Sequence, residues 1–155
     1  MRTAKELGDY GERVAVHFLR RHGYIIKERN LRVGHAEIDI VAASLRDLAF
    51  VEVKTRSYSE EEWRSAPPPR VAVHAEKQRL TRTAAAAYLS EHPSRKRPRM
   101  DVIEVWLLRD PDKKRPKVLD IHHIKAAYGG GTRCLFPSLT GIVTPRMRCA
   151  VAGKD

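Results

Sequence analysis

Cysteine is scarce in this chain of 155 residues, which contains only Cys134 and Cys149. Both lie in the C-terminal segment, and neither has the closely spaced Cys or His neighbours that a structural zinc site requires. We therefore expect two reduced thiols and no zinc site.

Long apolar runs are also missing. The N-terminal stretch from Met1 to Glu6 lacks the continuous apolar segment of a signal peptide. No later run reaches the roughly 20 apolar residues that a membrane-spanning helix needs. These two absences predict a cytoplasmic protein without a membrane partner.

Acidic residues are few compared with basic ones. The chain has 19 Asp and Glu against 30 Lys and Arg, which gives a net charge of +11 and a pI near 10.1. Such an excess favours a polyanionic partner, DNA or RNA. The alternative is a protein from a generally basic proteome, because net charge alone says nothing about the fold.

The length and the apolar fraction of 42% are sufficient for one domain with a modest core. We place this domain at residues 1–128. Gly129-Gly130-Gly131 then interrupts any regular structure, and residues 129–155 are expected to form an irregular or disordered basic tail.

Hydrophobic periodicity predicts an α/β fold, a mixed β-sheet flanked by helices. The stretch between Ser57 and Arg70, which contains three consecutive prolines, is expected to be an irregular loop. The predicted helices span Ala4–His22 and Val73–Ser90. A short strand is expected to begin at Tyr24-Ile25-Ile26, and the other predicted strands are Ala36–Ala43, Asp47–Lys54, Met100–Leu108 and Lys117–Ile124.

The second and third strands should form a hairpin that is symmetric about Leu45 and Arg46. That register sets Asp39 opposite Glu52, and Glu37 opposite Lys54, with all four side chains on one face of the sheet. Carboxylates on directly opposite residues, with Cβ atoms about 4.5–5.5 Å apart, repel each other unless a positive charge lies between them. A divalent cation would supply that charge.

A structural interpretation of the same residues remains open. Lys54 could neutralise Glu52 or Glu37 in a local ion network while Asp39 reaches solvent. A register slip of one residue would separate Asp39 from Glu52 and favour this alternative.

Asp39, followed across the hairpin by Glu52-Val53-Lys54, resembles the PD-(D/E)XK motif of restriction-endonuclease-like nucleases. The further motifs around it make the chain, from about Leu7 to Tyr128, similar to the YraN family of uncharacterised proteins, which is distantly similar to archaeal Holliday-junction resolvases. One departure is Ala36, where the family usually has glycine. The motifs are Gly11-Glu12-x-x-Ala15, Arg29-Asn30-Leu31-Arg32, Glu37-Ile38-Asp39-Ile40-Val41-Ala42, Phe50-Val51-Glu52-Val53-Lys54-Thr55-Arg56 and Arg99-Met100-Asp101-Val102-Ile103.

The resemblance implies a role for each acid of the motif. Asp39 and Glu52 would bind a metal ion, Glu12 on the first helix would complete the metal site, and Lys54 would position or activate the attacking water. Carboxylate and water oxygens suit magnesium or manganese. An acid on an amphipathic helix such as Glu12 is, however, usually solvated.

Several basic and polar residues are candidates for contacts with nucleic acid. Thr55 and Arg56 follow the motif, and the family pattern places Lys77 near the site, although each of these residue types is often merely solvated. A second candidate is the basic cluster of Arg95, Lys96 and Arg97.

The expected function is therefore that of a magnesium-dependent endonuclease that hydrolyses DNA. By analogy with the resolvases, branched or otherwise structured DNA is a candidate substrate, and a homodimer or a protein partner in DNA processing is a candidate assembly. The alternatives are a non-catalytic nucleic-acid-binding module and an adaptor that uses the nuclease fold as a scaffold.

Overall fold

The computed structural model describes residues 3–66, 73–110, 113 and 115–128. In these residues a five-stranded sheet has the order β1-β2-β3-β4-β5, with β3 and β4 parallel and the other neighbours antiparallel. The elements are α1 (Ala4–Arg21), β1 (Ile25–Val33), β2 (Ala36–Ala43), β3 (Asp47–Tyr58), α2 (Glu60–Arg64), α3 (Ala75–Glu91), β4 (Arg97–Leu108) and β5 (Lys117–Ile124).

Both faces of the sheet carry a helix, as the periodicity predicted. The side chains of β3 alternate between the faces, so that Val51 packs beneath α1 with Leu19, whereas Phe50 packs beneath α3 with Tyr88. This mixed sheet between helices has the architecture of a restriction-endonuclease-like fold. No helix among the described residues is long and apolar enough to span a membrane.

Helix α1 approaches the sheet most closely at Gly11. A Cβ atom built on this glycine would lie 1.9 Å from the Thr55 Oγ1 atom on β3, so no larger residue fits without movement of the helix or the strand. The start of α1 is fixed by a capping box, in which Thr3 and Glu6 bond reciprocally to each other's backbone N–H groups. The helix register therefore fixes which side chains of α1 lie beside β3.

Several predicted elements differ in extent. Strand β1 is longer than the short strand expected to begin at Tyr24, β3 continues to Tyr58, and β4 begins at Arg97 instead of Met100. The predicted irregular loop contains the short helix α2, which begins with a capping box between Ser59 and Glu62. The three prolines of that loop, both cysteines and the predicted tail lie outside the described residues.

The turn between β1 and β2 accounts for Ala36, where the resembling family has glycine. Gly34 has a φ of +58°, and Ala36 is paired with Val33 in the ladder. The left-handed conformation falls on Gly34, so the Ala36 backbone needs no glycine.

A buried ion network joins the strands at the end of the sheet that carries the β2–β3 turn. The Asp101 side chain on β4 is fully buried and accepts two hydrogen bonds from Arg99, at 2.8 and 2.9 Å. His123 on β5 lies 2.8 Å from the same carboxylate. Arg99 also donates to Asp47 on β3 and to the Tyr24 hydroxyl. One arginine and one carboxylate thus connect β3, β4, β5 and the residue before β1.

We expect Gly11→Ala to lower the free energy of unfolding by about 1–3 kcal/mol, because the added methyl group overpacks the contact with Thr55. Gly8→Ala in the same helix is the matched control, since a Cβ there meets nothing within 4 Å. It should stabilise the protein by about 0.5–1 kcal/mol through helix propensity. Chemical denaturation of both variants tests the pair, and equal effects would contradict the close approach.

Asp101→Asn should cost about 3–5 kcal/mol of stability near neutral pH, because it removes the buried carboxylate that pairs with both Arg99 and His123 and leaves Arg99 with Asp47 as its remaining acidic partner. Burial alone would raise the pKa of Asp101, but the hydrogen bonds from His123 and Arg99 hold that pKa below its ordinary value. The stabilisation is therefore present above about pH 4 and is lost as the pH falls through the lowered pKa. Urea titrations should show parent and variant converging in acid. The exposed Asp120→Asn is the control, with an expected change below about 0.5 kcal/mol.

Candidate active site

Strands β2 and β3 separate within the sheet. Their ladder holds four pairs, from Ala43 with Leu48 to Ile40 with Val51. The predicted hairpin register is confirmed for these pairs. Beyond Ile40, β2 stays paired with β1 and β3 stays paired with β4. We call this V-shaped opening between β2 and β3 the fork.

Asp39 lies at the vertex of the fork, one residue beyond the last β2–β3 pair. Its Oδ2 atom accepts a hydrogen bond of 2.7 Å from the Val53 N–H group. That backbone donor would otherwise lack a partner where β2 turns away, and a buried unpaired N–H group is costly. The separation of the strands therefore fixes the Asp39 carboxylate between β2 and β3.

Glu52 and Lys54 extend from the face of β3 that carries α3, since they continue the alternation of Leu48 and Phe50. The Lys54 Nζ atom lies 4.0 Å from Glu52 Oε1, and both side chains are largely buried. The second carboxylate oxygen of Glu52 is buried without a hydrogen-bond partner. Lys54 thus compensates only part of the charge on Glu52.

The pKa of Asp39 is raised to about 6, and burial is the main cause. The negative charges of Glu12 and Glu52 raise it further, while the Val53 N–H group and the Lys77 ammonium group lower it. A carboxyl group that is desolvated among other acids holds its proton to a higher pH than an exposed one, and a bound cation would favour its ionised form.

Glu12 approaches the fork from the opposite face of the sheet. It lines a cleft of about 240 Å³ between the first turns of α1 and the end of β3, where Val53 and Thr55 form the floor. The Asn30 side chain hydrogen-bonds to the Glu12 carboxylate, and burial raises the Glu12 pKa. Asn30 has a φ of 51°, a left-handed conformation that asparagine tolerates better than most residues. This turn in β1 directs the Asn30 carboxamide towards α1.

The acids of the fork have the donor chemistry of a magnesium site. Magnesium binds one or two carboxylates and completes its octahedral shell with water and substrate oxygens. Asp39 and the unpartnered oxygen of Glu52 are suitable donors. Within the described part of the chain, no group of three or more His, Cys, Asp or Glu side chains is close enough together to hold a metal ion. Glu12 therefore stands apart from the pair in this conformation.

The pairing predicted for Glu37 is wrong. Glu37 was expected opposite Lys54, but β2 has already left β3 at this point and pairs with β1 instead. The Glu37 Oε1 atom lies 3.6 Å from Arg32 Nε, and the Glu37 carbonyl oxygen accepts a hydrogen bond from Lys77 Nζ at 3.3 Å. Glu37 is therefore part of the β1–β2 pairing.

Of the three residues proposed to contact phosphate near the motif, only Lys77 faces the acids. Its ammonium group lies near Asp39 and lowers the Asp39 pKa. Thr55 points to the other face of the sheet, beneath Gly11. Arg56 Nη2 lies 3.4 Å from Glu104, a fully buried carboxylate that also accepts a hydrogen bond from Trp106 Nε1. Arg56 thus compensates a buried charge.

The basic cluster of Arg95, Lys96 and Arg97 lies at the opposite end of the sheet from the fork, beside the β2–β3 turn. Lys96 Nζ donates to the carbonyl oxygens of Ser44 and Leu45, at 2.6 and 3.0 Å. Arg97 Nε lies 2.8 Å from Asp47 Oδ1. Two of the three cations therefore stabilise the turn and the start of β3.

Sequence reasoning missed three residues around the fork. Asn30 was quoted within a motif but received no role, although asparagine tolerates the left-handed conformation better than most residues and can therefore mark a turn. Glu104 alternates with apolar residues along a strand, so its burial indicates an ion pair. Tyr128 follows the last strand, and nothing local in the sequence indicates that it returns to the acids.

Comparisons with known proteins identify the family of the chain. The chain matches the model of the family described as Uncharacterised protein family UPF0102 over residues 11–105. A UPF0102 protein of Bacteroides thetaiotaomicron is 46% identical over 89 residues, which cover 57% of this chain and 69% of the relative. A UPF0102 protein of Chlorobium phaeobacteroides is 48% identical over 89 residues, covering 57% and 67%.

The matched segment contains Glu12, Asp39, Glu52 and Lys54, and it ends within β4. It therefore includes the fork and the strands that form it. A family model that covers more than half of the chain, together with relatives at this identity, establishes membership. The chain belongs to the uncharacterised protein family UPF0102, the YraN family that its motifs resemble.

Proposed function

We propose that this protein is a metal-dependent nuclease that hydrolyses phosphodiester bonds in DNA, with the fork as its active site. The observation that carries the proposal is the pair formed by Asp39 and Glu52. Asp39 is a desolvated carboxyl group with a raised pKa, and Glu52 presents a buried oxygen that has no partner. Both features are costly in a purely structural ion network, and a bound cation would remove both costs.

Asp39 and Glu52 would hold the divalent ion, and Glu12 would join them from the α1 side of the fork. When bound, magnesium or manganese polarises a phosphate oxygen and lowers the pKa of a bound water. The Val53 N–H group keeps the Asp39 carboxylate in place. Lys54, held beside Glu52, supplies an ammonium group that can orient a water molecule or share its proton.

DNA is the proposed substrate because the chain carries a net charge of +11 and because Lys77 on α3 lies near Asp39. Cations around an acidic metal site draw the phosphate backbone towards it. Branched or structured DNA is proposed by analogy with the resolvases, whose fold the chain resembles.

Asp39→Asn and Glu52→Gln should each abolish binding of magnesium and cleavage of DNA while leaving the fold intact. Asparagine retains an oxygen that can accept from the Val53 N–H group, and DNA affinity should be equal or higher because an acid facing phosphate is gone. Calorimetry with Mg²⁺ and Mn²⁺, thermal melts, and cleavage assays on linear, single-stranded and four-way-junction DNA test this prediction.

Glu37→Gln is the matched control, because this acid lies two residues from Asp39 but bonds to Arg32 across the β1–β2 pairing. It should bind metal and cleave like the parent. Large destabilisation by Asp39→Asn, combined with no metal binding by the parent protein, would instead support the structural ion network and overturn the nuclease.

The affinity for Mg²⁺ should rise as the pH increases through about 6 and level off above it, because protons compete with the metal at Asp39. The stability of the metal-free protein has the opposite pH dependence and falls as the pH rises. The folded-state pKa lies above the ordinary value of 3.8, so ionisation of Asp39 between about pH 4 and pH 6 destabilises the fold. Relative to Asp39→Asn, the metal-free parent should lose on the order of 3 kcal/mol across this window.

Paired urea titrations of the parent and Asp39→Asn at several pH values measure this difference, and calorimetry at the same pH values measures the affinity. The groups that face Asp39 are the Val53 N–H group, Glu12, Glu52 and Lys77. Parallel stability curves for the two proteins would show that Asp39 titrates normally and would count against a desolvated metal ligand.

Two outcomes would point to the alternatives. Metal-independent DNA binding whose affinity falls steeply with salt, without cleavage of any substrate, would indicate a non-catalytic nucleic-acid-binding module. Absence of DNA binding at low salt would leave an adaptor that uses the fold as a scaffold.

A further inference from the structure

Buried side-chain atoms without a hydrogen-bond partner are rare in the described part of the chain. There are four, namely Glu52 Oε2, Arg82 Nε, His122 Nε2 and the Tyr128 hydroxyl oxygen. Each unpaired buried polar atom needs an explanation, because proteins normally satisfy such groups. Glu52 and Tyr128 form a complementary pair, since an ionised carboxylate only accepts hydrogen bonds and a phenol can donate one.

Tyr128 is held firmly beside the fork. The residue is 8% exposed and packs in the apolar cluster beneath α3 with Phe50 and Val102. The chain that leads to it is anchored to β4, because the Ala127 N–H group donates to the Met100 carbonyl oxygen at 2.9 Å. The Arg82 guanidinium carbon lies 5.8 Å from the centre of the Tyr128 ring. The ring is therefore fixed by contacts that do not involve its hydroxyl group.

The Tyr128 ring lies on the Glu52 side of the sheet. It belongs to the same apolar cluster as Phe50, two residues before Glu52 on β3, and Val102, which pairs with Glu52 across the β3–β4 ladder.

Burial raises the pKa of Tyr128, and the charges of Glu52 and Asp39 raise it further. Thr81 lowers that pKa. The Thr81 hydroxyl donates its own proton to the Lys77 carbonyl oxygen at 2.8 Å, and the Tyr128 hydroxyl oxygen has no hydrogen-bond partner among the described residues. The Glu52 oxygen that lacks a donor lies on the same face of the sheet as the Tyr128 ring.

We propose that Tyr128 is a positioning residue for Glu52, donating its hydroxyl hydrogen to the inner carboxylate oxygen, directly or through one water, when Glu52 binds a divalent cation. A neutral donor suits this place, because it fixes the orientation of the carboxylate without neutralising the charge that attracts the metal. Donors that orient metal ligands in this way contribute strongly to metal affinity. The inference rests on the proposed function, in which Glu52 is a metal ligand.

The packing of Tyr128 alone does not require its oxygen atom. Phenylalanine would fill the same apolar space, and removing a buried hydroxyl group that has no partner removes its desolvation cost. The hydroxyl group thus destabilises the metal-free fold, and it contributes favourably only if the metal-bound site uses it as a hydrogen-bond donor. A positioning role therefore predicts that loss of the hydroxyl group lowers metal affinity without lowering the stability of the metal-free protein, whereas a structural role predicts a loss of stability.

Tyr128→Phe tests the inference. We expect its affinity for Mg²⁺ and Mn²⁺, measured by calorimetry on the full chain, to fall about tenfold. Its melting temperature without metal should equal or exceed that of the parent, and the increase in melting temperature on adding Mn²⁺ should be smaller. Tyr88→Phe is the matched control, because Tyr88 lies in the same apolar cluster as Tyr128. The acidic charge that raises the pKa of Tyr88 is that of Glu28, not that of an acid of the fork. Tyr88→Phe should keep the parent's affinity.

Each outcome decides between the hypotheses. If the parent binds Mn²⁺ and Tyr128→Phe binds it equally well, Tyr128 has no positioning role, although the proposed nuclease stands. If Tyr128→Phe melts at a lower temperature than the parent without metal, in proportion to its lost affinity, the positioning role is also overturned, because loss of packing would then explain the weaker metal binding. If the parent binds neither Mg²⁺ nor Mn²⁺, the proposed function fails and this inference fails with it.

Discussion

The ion network around Asp101 is the interaction on which the rest of the sheet depends. A fully buried carboxylate is stable only when donors surround it, and here Arg99 and His123 meet that need while Arg99 also reaches Asp47. These contacts fix the start of β3 against β4. Because this end of the sheet is held by charge, β2 can leave β3 at the other end without loss of the strand register.

The candidate site depends on this register, because the divergence of β2 from β3 at the fork positions Asp39. At its vertex one side chain performs a backbone function, since the Asp39 carboxylate takes the hydrogen bond that a neighbouring strand would have supplied to Val53. The same desolvation that makes this bond strong raises the pKa of Asp39. Structure and the proposed chemistry therefore use one carboxylate, and a substitution at Asp39 acts on both unless it retains an acceptor.

The sequence predicted those parts of the molecule whose determinants are local. The hairpin register followed from its turn for the pairs from Ala43 with Leu48 to Ile40 with Val51. The ladder ends there, so the predicted pairing of Asp39 with Glu52 stays a prediction. The divergence of β2 is a tertiary event, and the predicted partner of Glu37 was wrong for that reason. The position of Tyr128 depends on the return of the chain after β5, which no local pattern encodes. In β1, the left-handed Asn30 and a register shift after Ile26 obscured the alternation.

Lys96 binds two carbonyl oxygens of the β2–β3 turn, at the opposite end of the sheet from the fork. A phosphate that bound the Lys96 ammonium group would compete with the two carbonyl oxygens of the turn. Anion binding at that end of the sheet and the conformational order of the hairpin would therefore be thermodynamically coupled. The same hairpin carries Asp39 and Glu52 on its two strands. Salt and polyanions would thus affect the candidate site in two ways, through the rigidity of the β2–β3 hairpin that carries it and through screening of its charges.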